Sequence, residues 1–203
     1  MGFYSNLVIP YCIDFAMSGE NLKQYRQQLL QNVSGKVLEI GFGTGLNLPY
    51  YPSTVQKITT IDPNLGMKRL ASSRIAQSDI TVDYRVLNGE SIPLADASFD
   101  SVVCTWTLCS IPNADKAIAE IYRLLKPAGK FFFIEHGLSR DNHIQLWQNR
   151  LTPIQKLIAD GCHLNRNIKN IIEQKFENVI IEQFYAPKLP KVIGYMYRGI
   201  ATK

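Results

Sequence analysis

Two acids and a set of glycines are the first residues whose types and spacing suit a chemical task. Residues 39–45 read Glu39-Ile40-Gly41-Phe42-Gly43-Thr44-Gly45 and leave an apolar run at 36–40. A chain that turns sharply out of a strand uses glycine for positive φ and for close backbone approach. The N–H groups exposed there favour an anionic group. Nicotinamide dinucleotides are held by the same device, with the spacing Gly-x-Gly-x-x-Gly. Here Leu46 stands where that pattern needs its third glycine, and acidic Glu39 lies two residues ahead. The loop therefore departs from the hydride-transfer fingerprint. Taken alone, it is also compatible with a tight turn that binds nothing.

The second acid, Asp62, ends the next apolar run at 56–61, twenty-one residues after Gly41. A carboxylate there can accept hydrogen bonds from both ribose hydroxyls of an adenosyl ligand. Asp62 followed by Pro63 also reads as a helix start, with the acid as its cap. The two roles are compatible, because a carboxylate has two oxygens. Three more segments punctuate the chain: 88–94 (NGESIPL), 97–100 (ASFD) and 124–130 (LLKPAGK).

These residues need a scaffold, and the patterning supplies one. Strand-like runs fall at 36–40, 56–61, 80–86, 101–106, 130–134, 179–185 and 193–198. Runs such as 101–106 (SVVCTW) are continuously apolar, as expected for strands buried on both faces. Helical periodicity fills 20–30, 63–76, 114–125, 143–158 and 166–176. Strand and helix alternate through the first 135 residues, which calls for a parallel sheet with right-handed crossovers. The last two strands have no room for a crossover helix between them and should pair antiparallel.

Composition agrees with one α/β domain. The chain has 203 residues, 46% hydrophobic and 19% charged, which excludes a disordered chain. The net charge of +5 comes from scattered basic residues, and a nucleic-acid partner is not expected. Four cysteines lack any Cys-x-x-Cys spacing, so no metal is expected and free thiols in the cytoplasm are the simplest reading. Residues 3–17 are mostly apolar, with no basic flank and no cleavage site, and read as an arm rather than a signal peptide. The arm is shorter than the ~20 residues that span a bilayer. It is expected to act as a lid over the acceptor or as a peripheral membrane contact.

Five segments occur in a fixed order: VLEIGFGTG (37–45), TTIDPN (59–64), GESIPL (89–94), DASFDSVVCTWTLCSIPN (96–113) and RLLKPAGKFFFIEH (123–136). In them the chain resembles class I S-adenosylmethionine-dependent methyltransferases of the methyltransferase-11 type. Residues 3–17, TLCSIPN (107–113), IEHG (134–137), Trp147-Gln148 and DGCHLNR (160–166) extend the similarity to one subgroup. That subgroup holds small bacterial methyltransferases and animal thiol methyltransferases. The animal members carry an N-terminal membrane anchor, which is not expected here at full length.

The resemblance implies a Rossmann-like seven-stranded sheet, five strands parallel and a terminal antiparallel hairpin, with helices on both faces. It implies a single domain: arm or lid at 1–34, cofactor core at 35–136, helical substrate side at 137–176 and hairpin at 177–203. The implied cofactor is S-adenosyl-L-methionine. Gly41, Gly43 and Gly45 would let the backbone approach its methionine part, with Glu39 ordering that end and Asp62 on the ribose. Pro63 and Met67 would pack beside the adenine, with Asn88, Gly89 and Glu90 at its edge. Asn88 stands where many members have aspartate. Thr105 and Leu108 would floor the pocket.

The acceptor side is less constrained. Glu135 and His136 end the fifth strand at the edge where α/β ligands bind, and are the first choice for a base. Tyr4, Cys109, Trp147, Asp160, Cys162 and His163 are further candidates, each with a plain packing role as the alternative. Residues 104–108 contain no proline motif for nucleobase amines and no carboxylate pair for arginine. The expected reaction is therefore methyl transfer to a small lipophilic acceptor, thiol first, then phenol or quinone precursor, then phospholipid amine. A cofactor-binding module without catalysis and a nicotinamide oxidoreductase are the competing readings.

Overall fold

The computed structural model describes residues 7–203. Seven strands form one sheet: β1 (Val37–Ile40), β2 (Lys57–Ile61), β3 (Thr81–Arg85), β4 (Phe99–Thr105), β5 (Leu125–His136), β6 (Asn178–Tyr185) and β7 (Tyr195–Thr202). Their order is β3-β2-β1-β4-β5-β7-β6. The first five pair in parallel, while β7 pairs antiparallel with both β5 and β6. The chain runs outward from β1 to β3 on one side, then returns to place β4 on the other side of β1. Such a reversal opens a crevice at the carboxyl ends of β1 and β4.

The apolar runs are continuous because both faces of the central strands are covered. Along β5, Phe131 and Phe133 face one core with Leu38, Ile40 and Val102. Phe132 and Ile134 face the other, with Val37 and Val103. Helix α1 spans Ile9–Met17, α2 Glu20–Leu30, α3 Leu65–Ala76 and α4 Ala114–Leu124. Helix α2 closes the second core with Leu29 and Leu30, and α4 closes the first with Ile118 and Ile121. Helices α5 (Asn142–Ile158), α6 (Ile168–Glu173) and α7 (Lys191–Gly194) complete the fold.

Four local expectations are corrected. The cap of α3 is Asn64, whose side chain accepts from the Gly66 N–H, rather than Asp62. Strand β4 stops at Thr105, because Trp106 turns into the left-handed region at φ 51°. Strand β7 starts at Tyr195 rather than 193, since 191–194 coil into α7, and it runs on to Thr202 opposite Lys130. Helix α6 spans only Ile168–Glu173: Asn167 caps its start, and at Gln174 the N–H turns to the Asn170 and Ile172 carbonyls.

The arm is tied down at one acid. Asp14 of α1 takes both guanidinium nitrogens of Arg74 on α3, at 2.7 and 3.2 Å, and the Thr44 hydroxyl at 2.5 Å. Arg74 also donates to the Thr44 carbonyl. The helix at the start of the chain is thus fastened to the glycine turn itself. We expect Asp14→Ala to free α1 and to weaken S-adenosylhomocysteine binding by about 1 kcal/mol, roughly fivefold. Limited proteolysis and calorimetry on the same variant check this; unchanged cleavage near residue 17 would refute it.

Candidate active site

The three glycines of the turn all have positive φ: 74° at Gly41, 56° at Gly43 and 82° at Gly45. Two of them have different neighbours. A Cβ on Gly41 would meet the Thr107 hydroxyl oxygen at 2.0 Å, whereas a Cβ on Gly43 would meet nothing within 4 Å. Gly41 is therefore where the β4 loop presses on the turn, and Gly43 borders space that no described residue fills.

Asp62 links the turn to the start of α3. Its Oδ2 accepts from the Gly43 N–H and its Oδ1 from the Asn64 N–H, both at 2.8 Å. Each oxygen keeps a second lone pair for an incoming hydroxyl. Burial pushes the Asp62 carboxyl up to about 6, against the pull of the two backbone N–H groups. The folded chain thus holds this proton more tightly than the unfolded one. Asp62 ionisation removes stability as pH rises from its ordinary 3.8 to about 6. A ligand that donates hydroxyls prefers the ionised form, so its affinity should rise with pH through about 6 and then level off. We expect Asp62→Asn to cost S-adenosylhomocysteine about 1.5–3 kcal/mol at neutral pH. Its calorimetric pH profile should also lose this rise; a profile identical to wild type would remove Asp62 from the site.

Glu39 is 1% exposed and fully engaged. Its Oε1 accepts from Asn47 Nδ2 and its Oε2 from the Tyr51 hydroxyl, both at 2.7 Å. Burial pushes its carboxyl up to about 7. Glu39 therefore acts through Asn47, which also donates to the Thr105 hydroxyl at 3.0 Å. Among the described residues the buried Asn47 Oδ1 has no partner, and neither has the Trp106 indole N–H. An unpaired buried acceptor costs about 1–3 kcal/mol, so this carbonyl is open to a donor from a bound ligand. An amino-acid ammonium, as in the methionine part of S-adenosylmethionine, has the right chemistry. The residues present fit that cofactor: an open glycine edge, a carboxylate for hydroxyls and a carbonyl for an ammonium.

The remaining sequence candidates separate. Met67 is buried and Pro63 exposed at the head of α3. Asn88 is exposed, and its carbonyl accepts from the Glu90 N–H, shaping its own turn. Glu90 accepts from the Asn113 N–H and so pins the start of α4. Gly89 is buried, with no room for a Cβ beyond 3.2 Å from Ile111. Leu108 is fully buried within the first core. Trp147 lies 53% exposed on α5 beside Arg150. Tyr4 lies outside the described residues.

Glu135 is fully buried and receives three backbone N–H groups: Thr107 and Leu108 at 2.9 Å and Cys109 at 3.3 Å. Burial raises its pKa while these donors oppose the rise. It organises the loop after β4 instead of facing a cleft. His136 turns to two thiols: its Nε2 lies 2.9 Å from Cys162 Sγ, which lies 3.6 Å from Cys109 Sγ. His163 sits outside that group, between the Cys109 carbonyl and Arg166. Asp160 faces Asn64 at 3.4 Å, bringing the loop after α5 beside Asp62. Sequence reasoning missed Asn47, Tyr51, Thr107, Asp14 and Arg74. Each lies far along the chain from its partner or in no recognisable spacing, so only packing identifies them.

The sheet order, the glycine turn and the acid closing β2 together define a Rossmann-like S-adenosylmethionine-dependent methyltransferase. A family model described as a methyltransferase domain matches residues 38–133. The thiol S-methyltransferase TMT1B of Rattus norvegicus is 39% identical over 181 residues, covering 86% of this chain and 74% of its own. The human thiol S-methyltransferase TMT1A is 33% identical over 197 residues, covering 91% and 80%. The chain belongs to the methyltransferase family that these proteins represent. In structure it is similar to a phosphoethanolamine N-methyltransferase of Haemonchus contortus solved with S-adenosylhomocysteine. That likeness has a TM-score of 0.73 at 16% identity and covers 96% of this chain and 57% of the other.

Proposed function

We propose that this chain methylates the sulfur of a small lipophilic thiol. The observation that carries the reading is the pair of thiol S-methyltransferases matched over most of their length. The chemistry of the site agrees. Glu135, the foremost base candidate, is committed to backbone donors. A thiol attacks as its thiolate, a soft and strong nucleophile for a sulfonium methyl, and a cysteine-like thiol with a pKa near 8.5 already presents some thiolate at neutral pH. Phenols and amines need more help from a base.

When bound, S-adenosylmethionine supplies an activated methyl on a sulfonium. The chain's own residues bind, orient and exclude water. Asp62 holds hydroxyls, Asn47 holds an ammonium, and Gly43 admits the ligand. The arm, fastened through Asp14, closes that end. The part-by-part division stands with this reading: arm at 1–34, core at 35–136, substrate side at 137–176, hairpin at 177–203. Among the described residues no helix is long and apolar enough to cross a membrane. Helix α5 exposes Leu146, Trp147, Ile154 and Ile158, and α1 exposes Tyr11 and Phe15. These apolar faces support peripheral contact with a membrane from the cytoplasm, where greasy acceptors concentrate.

The test is a methyl-transfer assay with matched alkyl thiol, phenol and amine. Turnover of the thiol alone, rising with pH as its thiolate fraction grows, supports the reading. Turnover of the phenol or amine with the thiol inert overturns it.

A further inference from the structure

Three soft donors from three separate segments meet behind the β4 loop. Cys109 lies in that loop, His136 ends β5, and Cys162 follows α5. The ligand atoms all lie within 4.8 Å of one another. They are 1%, 8% and 6% exposed respectively. We propose that Cys109, His136 and Cys162 bind one soft divalent cation of the zinc class, with the fourth position left for a sulfur ligand.

The spacing suits such an ion. Zinc–sulfur bonds of about 2.3 Å and zinc–nitrogen bonds of about 2.0 Å in a tetrahedron separate two sulfurs by about 3.8 Å and sulfur from nitrogen by about 3.5 Å. The two sulfurs here are 3.6 Å apart, and Cys162 Sγ is 2.9 and 3.9 Å from the two ring nitrogens. The sulfur pair is within about 0.2 Å of that spacing, and the ring nitrogens are within about 0.4–0.6 Å of it from Cys162 Sγ. A disulfide would need the sulfurs to close to about 2.05 Å.

The chemistry suits it too. The buried imidazole finds its polar partners in the two thiols. Thiols are weak donors and leave a buried ring poorly satisfied. Two thiolates would neutralise a divalent ion, so before an acceptor binds the assembly can sit in a low dielectric without net charge. The cluster is also held in place. The His163 N–H donates to the Cys109 carbonyl at 2.9 Å, joining the two cysteine loops. Gly161, at φ 86°, brings its loop so close to the Ser110 carbonyl that a Cβ would lie 3.1 Å away.

Among the described residues no fourth Cys, His, Asp or Glu joins the three. Three protein ligands with one open position is the arrangement of a reactive rather than a purely structural zinc site. Resting on the thiol reading above, that position takes the acceptor as its thiolate, and the S–H proton leaves to solvent. This ion would hold the acceptor beside the cofactor crevice, since the Cys162 loop reaches Asn64 through Asp160.

The experiment titrates the full chain, reduced with a phosphine, with zinc against a chelating dye, and with cobalt(II) as a spectroscopic probe. We expect one equivalent bound and a thiolate-to-cobalt band in the near ultraviolet. Cys162→Ser and Cys109→Ser should each weaken binding by about a hundredfold or more, with Cys104→Ser close to wild type. Adding 2-mercaptoethanol to the cobalt form should shift its visible bands. No stoichiometric uptake by the folded wild type would overturn the site, as would equal loss in Cys104→Ser. A Cys109–Cys162 disulfide that persists in the phosphine-treated, metal-free protein would overturn it too. Bound cobalt that ignores the added thiol would overturn the open position. Metal binding without thiol methylation would strike the proposed acceptor and leave the site standing.

Discussion

Glu135→Ala lowers the stability of the protein by about 3–9 kcal/mol, because it leaves three buried N–H groups without an acceptor at about 1–3 kcal/mol each. The groups belong to Thr107, Leu108 and Cys109, consecutive residues of the loop after β4. They point at one carboxylate, and neither water nor another side chain reaches a fully buried position to replace it. A typical domain has only about 5–15 kcal/mol in total, so this variant should be near the limit of folding. Urea unfolding measures the loss. Glu135→Gln separates architecture from catalysis. Its oxygen can keep the two bonds at Oε1 and only the Cys109 N–H meets an amide, so the loss should fall to about 1–2 kcal/mol. If Glu135 were the base, the same variant would abolish turnover while remaining folded. We expect it to keep turnover within about tenfold of wild type, a change of about 1.4 kcal/mol in the barrier.

Gly41→Ala should be nearly as damaging, by a different route. The residue sits at φ 74°, where a side chain costs about 1–2 kcal/mol in the backbone alone. The new methyl would lie 2.0 Å from Thr107 Oγ1 and 2.2 Å from its Cγ2, so the β4 loop must move. Forcing extra atoms into packed space adds about 1–3 kcal/mol, for about 2–5 kcal/mol together. Gly43→Ala makes the informative contrast. Its φ of 56° carries the same backbone strain, but its Cβ would point into space empty within 4 Å. It should lose only about 1–2 kcal/mol of stability yet lose most affinity for S-adenosylhomocysteine if that space takes the ligand, as proposed. Adding Thr107→Gly to Gly41→Ala removes the clash and should recover about half the lost stability. A double mutant no better than the single would show that the strain lies in the backbone and not in the contact.

The glycine turn, the acid after β2 and the parallel order of the first five strands were legible in the chain. Local rules set them: positive φ selects glycine, burial on both faces selects runs such as residues 101–106, and short connections select antiparallel pairing of β6 and β7. Helix α2 matched its pattern from Glu20 to Leu30 for the same reason. Expectations failed where a distant partner decided the outcome. The pattern put a cap on Asp62, but tertiary contact gives that carboxylate to Gly43 and Asn64 and leaves the cap to Asn64. For Glu135 the sequence shows only a place at a strand end, and the structure adds its partners. Its three backbone donors come from a loop more than twenty-five residues earlier, and no spacing announces them.

The cysteines teach the same lesson from the other side. With no paired spacing they read as unrelated thiols. Folding joins Cys109 to Cys162, fifty-three residues apart, and sets His136 against them. Alone, the sequence determined the class of fold, the glycine turn and the family, because those depend on backbone conformation and on periodic burial. Only the tertiary structure decided which polar groups are already satisfied and which remain to act, because hydrogen-bond partners and metal ligands are chosen by distance in space and not along the chain.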